Sequence, residues 1–119
     1  MMERQVMTNQ SFYLQMIPKG VRPVIRVSQN DNGQTWLIHL LFGKDPFIVP
    51  AGAAVYIQGT KPDSSTFKES CSVSGNQVTA IETQQMTNVC GDVRAEISVQ
   101  LGDYALSSIN FIIQVEPKA

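Results

Sequence analysis

Val93-Arg94-Ala95-Glu96-Ile97-Ser98-Val99-Gln100-Leu101 decides the fold class. Each odd position is apolar and each even one polar. A β-strand sends successive side chains to opposite faces, so this period of two places one face against a core and the other against water. Gly102-Asp103 follows, a pair suited to a tight hairpin because glycine tolerates positive φ. The returning segment puts Ile109, Phe111, Ile113 and Val115 on one side and Asn110, Gln114 and Glu116 on the other, and Pro117 stops it. Ile97, Val99, Phe111 and Ile113 are expected to pair across this hairpin inside the core.

The same reading works outward along the chain. Val21 to Val27 points Val21, Ile25 and Val27 inward and Arg22 and Arg26 outward, then turns at Asn30-Asp31-Asn32-Gly33. Thr35 to Phe42 carries Trp36, Ile38, Leu40 and Phe42 on one face and Leu37, His39 and Leu41 on the other, the pattern of a central or covered strand. Pro46 and Pro50-Ala51-Gly52 mark a loop. Ala54 to Gly59 is a strand with Val55 and Ile57 inward, closed by the turn Lys61-Pro62-Asp63-Ser64-Ser65. Phe67 to Ser74 reads as one strand with Phe67, Cys71 and Val73 inward, and Gly75-Asn76 turns it into Gln77 to Ile81. Thr83 to Val89 is the one helical stretch, with Thr83 at the N-cap, Met86 and Val89 three apart, and Gly91 beyond its end. It is expected to connect two layers. Ser11 to Ile17 can add a further strand, with Phe12, Leu14 and Met16 opposite Tyr13, Gln15 and Ile17. These elements predict an all-β, Ig-like antiparallel sandwich of seven or eight short strands with one connecting helix. Residues 20–117 form its single domain, and 1–19 are an N-terminal arm or extra strand.

Composition narrows the function. The 119 residues carry 9 basic and 10 acidic side chains, a net charge of −1, and only 16% are charged. Polarity comes instead from 11 Gln, 6 Asn, 10 Ser and 7 Thr. A near-neutral chain lacks the basic face needed to coat nucleic acid or an anionic membrane. No apolar run approaches the roughly 18–20 residues that span a bilayer, and the first ten residues lack the pattern of a signal peptide. Cys71 and Cys90 are therefore expected to be reduced and to act as small buried hydrophobes. Two cysteines nineteen residues apart and one histidine do not supply a zinc site, so no metal is expected.

Catalytic chemistry has little to build on. His39 lies within an apolar strand with no adjacent nucleophile, and Asp31, Asp45, Asp63, Asp92 and Asp103 fall in turns. The glycines are scattered singly, without a phosphate-cradling loop. No enzyme activity, cofactor or catalytic residue is expected. A sugar-binding or adhesin module is the alternative function, and it needs Trp36, or two of Tyr13, Tyr56 and Tyr104, exposed beside amides. Trp36 alternates in register with Ile38 and Leu40, which places it in the core.

The order of motifs from Val49 onward resembles the N-terminal domain of phage baseplate upper proteins of Gram-positive phages and prophages. The residues that carry the resemblance are Val49-Pro50-Ala51-Gly52-Ala53, Gly59-Thr60-Lys61-Pro62-Asp63 and Phe67. They continue with Val73-Ser74-Gly75-Asn76-Gln77-Val78, Gln85-Met86-Thr87 before Gly91, Arg94-Ala95-Glu96-Ile97, and Ser108 through Pro117. With the strands flanking Asn30-Asp31-Asn32-Gly33, the likeness spans residues 20–117. Cys71 and Cys90 lie outside the pattern, and the first nineteen residues match weakly. The resemblance implies a virion structural module that assembles in the host cytoplasm into the tail baseplate. There it would anchor receptor-binding proteins for host attachment, at the front of a longer protein. Its partners would be other baseplate proteins, receptor-binding proteins or sister copies, with no nucleic acid or membrane. The apolar residues Tyr13, Ile17, Leu37, Leu41 and Ile112 fall on outward faces and are the candidate partner interface.

Overall fold

The alternation in Val93–Leu101 becomes the longest strand of the protein, β9 (Gly91–Leu101), and the rest of the fold is arranged around it. A computed structural model describes residues 10–118, so the arm expected over residues 1–9 lies outside the described residues. The other strands are β1 (Gln10–Gln15), β2 (Val24–Ser28), β3 (Thr35–Phe42), β4 (Asp45–Pro46), β5 (Ala54–Thr60), β6 (Thr66–Ser70), β7 (Ser72–Ser74), β8 (Gln77–Ile81), β10 (Tyr104–Ser107) and β11 (Phe111–Glu116). The short helix α1 spans Gln84–Thr87 and carries the chain from β8 to β9.

Two sheets pack face to face. The first runs β1-β3-β8-β7, with β4 beside β3, and the second runs β2-β11-β9-β5-β6, with β10 beside β9. Trp36, Ile38 and Leu40 of β3, Val78 and Ala80 of β8, and Leu14 of β1 form one side of the core. Against them sit Val93, Ala95, Ile97 and Val99 of β9, Phe111, Ile113 and Val115 of β11, and Val55 and Ile57 of β5. The expected β-sandwich is present, but it is mixed rather than antiparallel and has more, shorter strands. β1 runs parallel to β3 and β2 parallel to β11, because the two N-terminal strands add to opposite sheets at their edges. A loop containing Pro18, Gly20 and Pro23 carries the chain between them. Pro23 also delays β2: Val21, expected inward, is 90% exposed in that loop.

The C-terminal hairpin contains a kink that the simple alternation omits. Leu101 faces Tyr104 and Ser107 faces Ser98, yet Phe111 then faces Ala95 and Ile113 faces Val93. Residues 108–110 therefore stand against only two residues of β9, a β-bulge. The bulge corrects the expected pairing, since Phe111 and Ile113 are buried but do not face Ile97 and Val99. Ser108 fills it. Its Oγ accepts the Ile97 N–H at 2.9 Å and its own N–H donates to the Ile97 carbonyl at 2.9 Å. The displaced Ile109 N–H donates across to the Gln15 carbonyl of the other sheet at 2.9 Å. The hairpin tip projects past the core, so Leu101 is partly exposed, while Ser98, expected outward to water, is buried.

Three other expectations are corrected. Phe67–Ser74 is two strands, because the chain changes sheets at Cys71, whose N–H donates to the Val55 carbonyl at 2.9 Å. Val73 consequently sits at the exposed edge of the first sheet. Phe42 is 55% exposed, since β3 ends there and Gly43, at φ +68°, turns the chain into β4. The helix is shorter than expected, and Thr83 stands at its N-cap without its hydroxyl bonding any backbone group. Both cysteines are free and half-buried rather than fully buried as expected, and desolvation still pushes the Cys71 thiol up to about 11, which keeps it protonated at neutral pH.

Gly59 shows why one position in β5 carries no side chain. The Phe67 ring lies over it, and a Cβ there would stand 2.6 Å from the Arg94 carbonyl oxygen and 2.8 Å from the ring. Gly59→Ala should therefore cost about 1–3 kcal/mol, the usual penalty of overpacking, read as a lowered urea midpoint at unchanged slope.

Glu82 gives a pH dependence with a defined sign. Its side chain is buried, Oε1 accepts the Gln34 N–H at 3.3 Å, and Oε2 has no partner. Burial raises its pKa above the ordinary 4.5, the Gln34 N–H opposes this, and the charge of Asp31 adds to the rise. The native state thus holds its proton to higher pH than the unfolded chain does. Stability from this group is complete below about 4.5 and falls as pH rises through the native value. Glu82→Gln should flatten this decline in urea melts taken from acid to neutral pH; an unaltered slope would contradict the assignment.

Candidate functional site

The outer faces of the two sheets differ in charge, and that difference locates the candidate site. On the first sheet, β1 contributes Ser11, Tyr13 and Gln15, aligned with Leu37, His39 and Leu41 of β3. Across β3 lie Gln77, Thr79 and Ile81 of β8, then Ser72 and Ser74 of β7. No Asp, Glu, Lys or Arg occurs among these residues. The second sheet instead presents Arg26, Asp92, Arg94, Glu96, Lys68 and Glu116 on its outer face. Charge is depleted at the centres of protein interfaces because ions are costly to desolvate. The outer face of the first sheet shares this absence of charge with the centres of protein interfaces.

Its centre is aromatic. Tyr13, 64% exposed, stacks on His39 with ring centroids 5.0 Å apart at 32°. Ser11 Oγ lies 3.1 Å from His39 Nε2, which fixes the imidazole from its other side. Half-buried Leu37 and Leu41 flank His39 along β3, and the exposed Ile81 stands opposite Thr35. β1 is held in register by the Gln15 amide, whose Nε2 donates to the Gly43 carbonyl at 2.7 Å while Oε1 accepts the Gly43 N–H at 3.0 Å. This side chain replaces a missing rung of the sheet.

The structure gathers Tyr13, Leu37 and Leu41 onto this one face. Ile17 is half-buried in the loop after β1. Ile112 lies on the outer face of the second sheet, between Val24 and Arg94, away from the other three. Sequence reading of β3 placed His39 on this face but missed its partnership with Tyr13 and Ser11. The contact depends on the parallel register of β1 and β3, which no local pattern encodes.

The Ser11–His39 contact has the first two groups of a nucleophile–base–acid series but lacks the third. Among the described residues no carboxylate bonds Nδ1, and the pair stands exposed on an open sheet face. Among the described residues no group of three or more His, Cys, Asp or Glu is placed to hold a metal ion, and no helix is long and apolar enough to cross a membrane. Trp36 is fully buried, so it cannot serve as a sugar platform.

No protein-family model matches the chain, and no curated protein matches it by sequence. Its fold is similar to that of the N-terminal domain of phage TP901-1 ORF48. The two share a TM-score of 0.74 at 16% identity, covering 92% of this chain and 99% of that one. At that identity the likeness is one of fold. It extends over nearly the whole chain and meets the resemblance read from the motifs between Val49 and Pro117.

Proposed function

We propose that this chain is a non-enzymatic structural module of a phage tail baseplate, which docks on neighbouring tail proteins and anchors receptor-binding proteins to the tail tip. The observation that carries this reading is the fold shared, over 92% of this chain, with an N-terminal domain of a phage protein. The motif order of residues 49–117 supports the same assignment. The uncharged outer face of the first sheet supplies the surface for it, with Tyr13, His39, Leu37, Leu41 and Ile81 as its apolar centre. Packing such a face against another protein costs little in charge desolvation, and its aromatic–histidine pair offers rigid contact area.

The test uses exposed positions that the core does not need. In a phage or prophage encoding the chain, Tyr13→Glu with Ile81→Glu should abolish its incorporation into tails. The melting temperature of the isolated protein should stay within a few degrees of the parent, as expected for surface changes. Normal incorporation of the double variant would overturn docking through this face.

A further inference from the structure

We infer that the second sheet carries a binding groove for an acidic saccharide, a glycan chain bearing carboxylated sugar units. This inference is independent of the docking face on the first sheet. Two clefts, of about 390 and 240 Å³, adjoin at Asn110, which lines both. The larger lies over the outer faces of β5, β6 and β9 and contains Lys68 and Arg94. The smaller lies between the β1–β2 loop and the bulge at 108–110 and contains Lys19 and Arg22. Four of the nine basic residues of a chain with net charge −1 therefore line two clefts that share Asn110. The one carboxylate in it, Glu96, is occupied by the Gln58 amide at 2.9 Å. Among the described residues none of these four cations forms a hydrogen bond or ion pair with a side chain. Lys68 is held in place over the Tyr56 ring, 4.3 Å from its centroid, so its charge is oriented before any ligand arrives.

The lining selects among anions. Single strands are bound on open aromatic faces where bases stack, and a duplex needs a broader basic face than a chain of net charge −1 offers. Here Phe67 is buried and Tyr56 lies beneath Lys68. An acidic peptide would gain from apolar recesses for its side chains, whereas the groups between the cations are amides and threonine hydroxyls. These match the ring hydroxyls of a sugar, and the planar Arg94 fork matches a carboxylate.

The probe is a tetramer of galacturonic acid, titrated into the isotopically labelled chain and followed by amide shifts. Shifts should concentrate at Lys68, Arg94, Asn110 and Arg22, and binding should weaken as salt screens the charges. Arg94→Gln should weaken it about tenfold, the worth of one charge-assisted contact, and Lys19→Gln with Arg22→Gln should do so independently. Tyr13→Glu should leave it unchanged. Maltotetraose, a thymidine octanucleotide and tetra-aspartate are the comparison arms. No binding of the acidic tetramer, equal or tighter binding of any comparison arm, or an undiminished affinity in Arg94→Gln would overturn the proposal.

Discussion

Phe111→Ala is expected to destabilise the protein by about 3–5 kcal/mol, the cost of removing an aromatic side chain from a core that cannot close over the gap. Phe111 is fully buried, faces the small Ala95 across the sheet, and packs its ring 5.3 Å from that of Phe12 in the opposing layer. It also begins β11 immediately after the bulge, so no neighbour is free to move into the vacated space. Gln114, three residues on, points outward beside Asp92. Gln114→Ala should change stability by no more than about 0.5 kcal/mol. Chemical denaturation of the two variants checks the register: a larger loss in Gln114→Ala would mean that β11 presents its other face to the core.

The second large effect concerns β1. Removing residues 1–16 should lower the melting temperature by many degrees or prevent folding. Leu14 and Met16 are buried in the core and Phe12 packs against it. Each fully buried side chain of that size contributes about 1.5–3 kcal/mol, against a total stability of roughly 5–15 kcal/mol for a domain. The loss would also expose the edge of β3 and leave the Ile109 N–H of the bulge without the Gln15 carbonyl that accepts it. A truncated chain that melts within a few degrees of the parent would show that β1 is an arm resting on a complete sandwich rather than one of its strands.

How far the sequence reveals this fold can be followed residue by residue. Strict alternation in β9 and β11 identifies both strands and their inward faces, because burial on one side of a pleated ribbon leaves a period of two. The bulge between them was missed, although parity carried a signal for it. A two-residue turn at Gly102-Asp103 sets odd residues of β9 opposite even ones of the return strand, yet Phe111, Ile113 and Val115 are odd. One extra residue must intervene, and the structure places it within 108–110.

Other features left no local trace. Alternation is indifferent to strand direction, so nothing in Gln10–Gln15 or Val24–Ser28 distinguishes a parallel edge strand from an antiparallel one. The change of sheet at Cys71 falls inside an alternating run and needs no glycine or proline. Glu82 looks like a solvent-facing end of β8, and only the packing of the 30–34 turn against it accounts for its burial.

The candidate sites follow the same division. Leu37 and Leu41 were recognisable as surplus apolar residues on an outward face, and Tyr13 joined them because it alternates with the buried Leu14. Ile112 fits the same description in sequence, yet topology sends it to the other sheet. The saccharide groove was wholly illegible. Lys68 lies on β6, Arg94 on β9, and Lys19 and Arg22 in the β1–β2 loop, and the pairings of β6 with β5 and β5 with β9, with the bulge before β11, bring them together.

Cryo-electron microscopy of tails purified from cells that produce the chain tests the central claim most directly. The proposed role predicts density for this two-sheet domain at the distal end of the tail, with the Tyr13–His39 face turned toward a neighbouring protein and the charged sheet turned away. Complete, infectious tails with no such density, or with the charged sheet buried against the tail and the uncharged face bare, would contradict it.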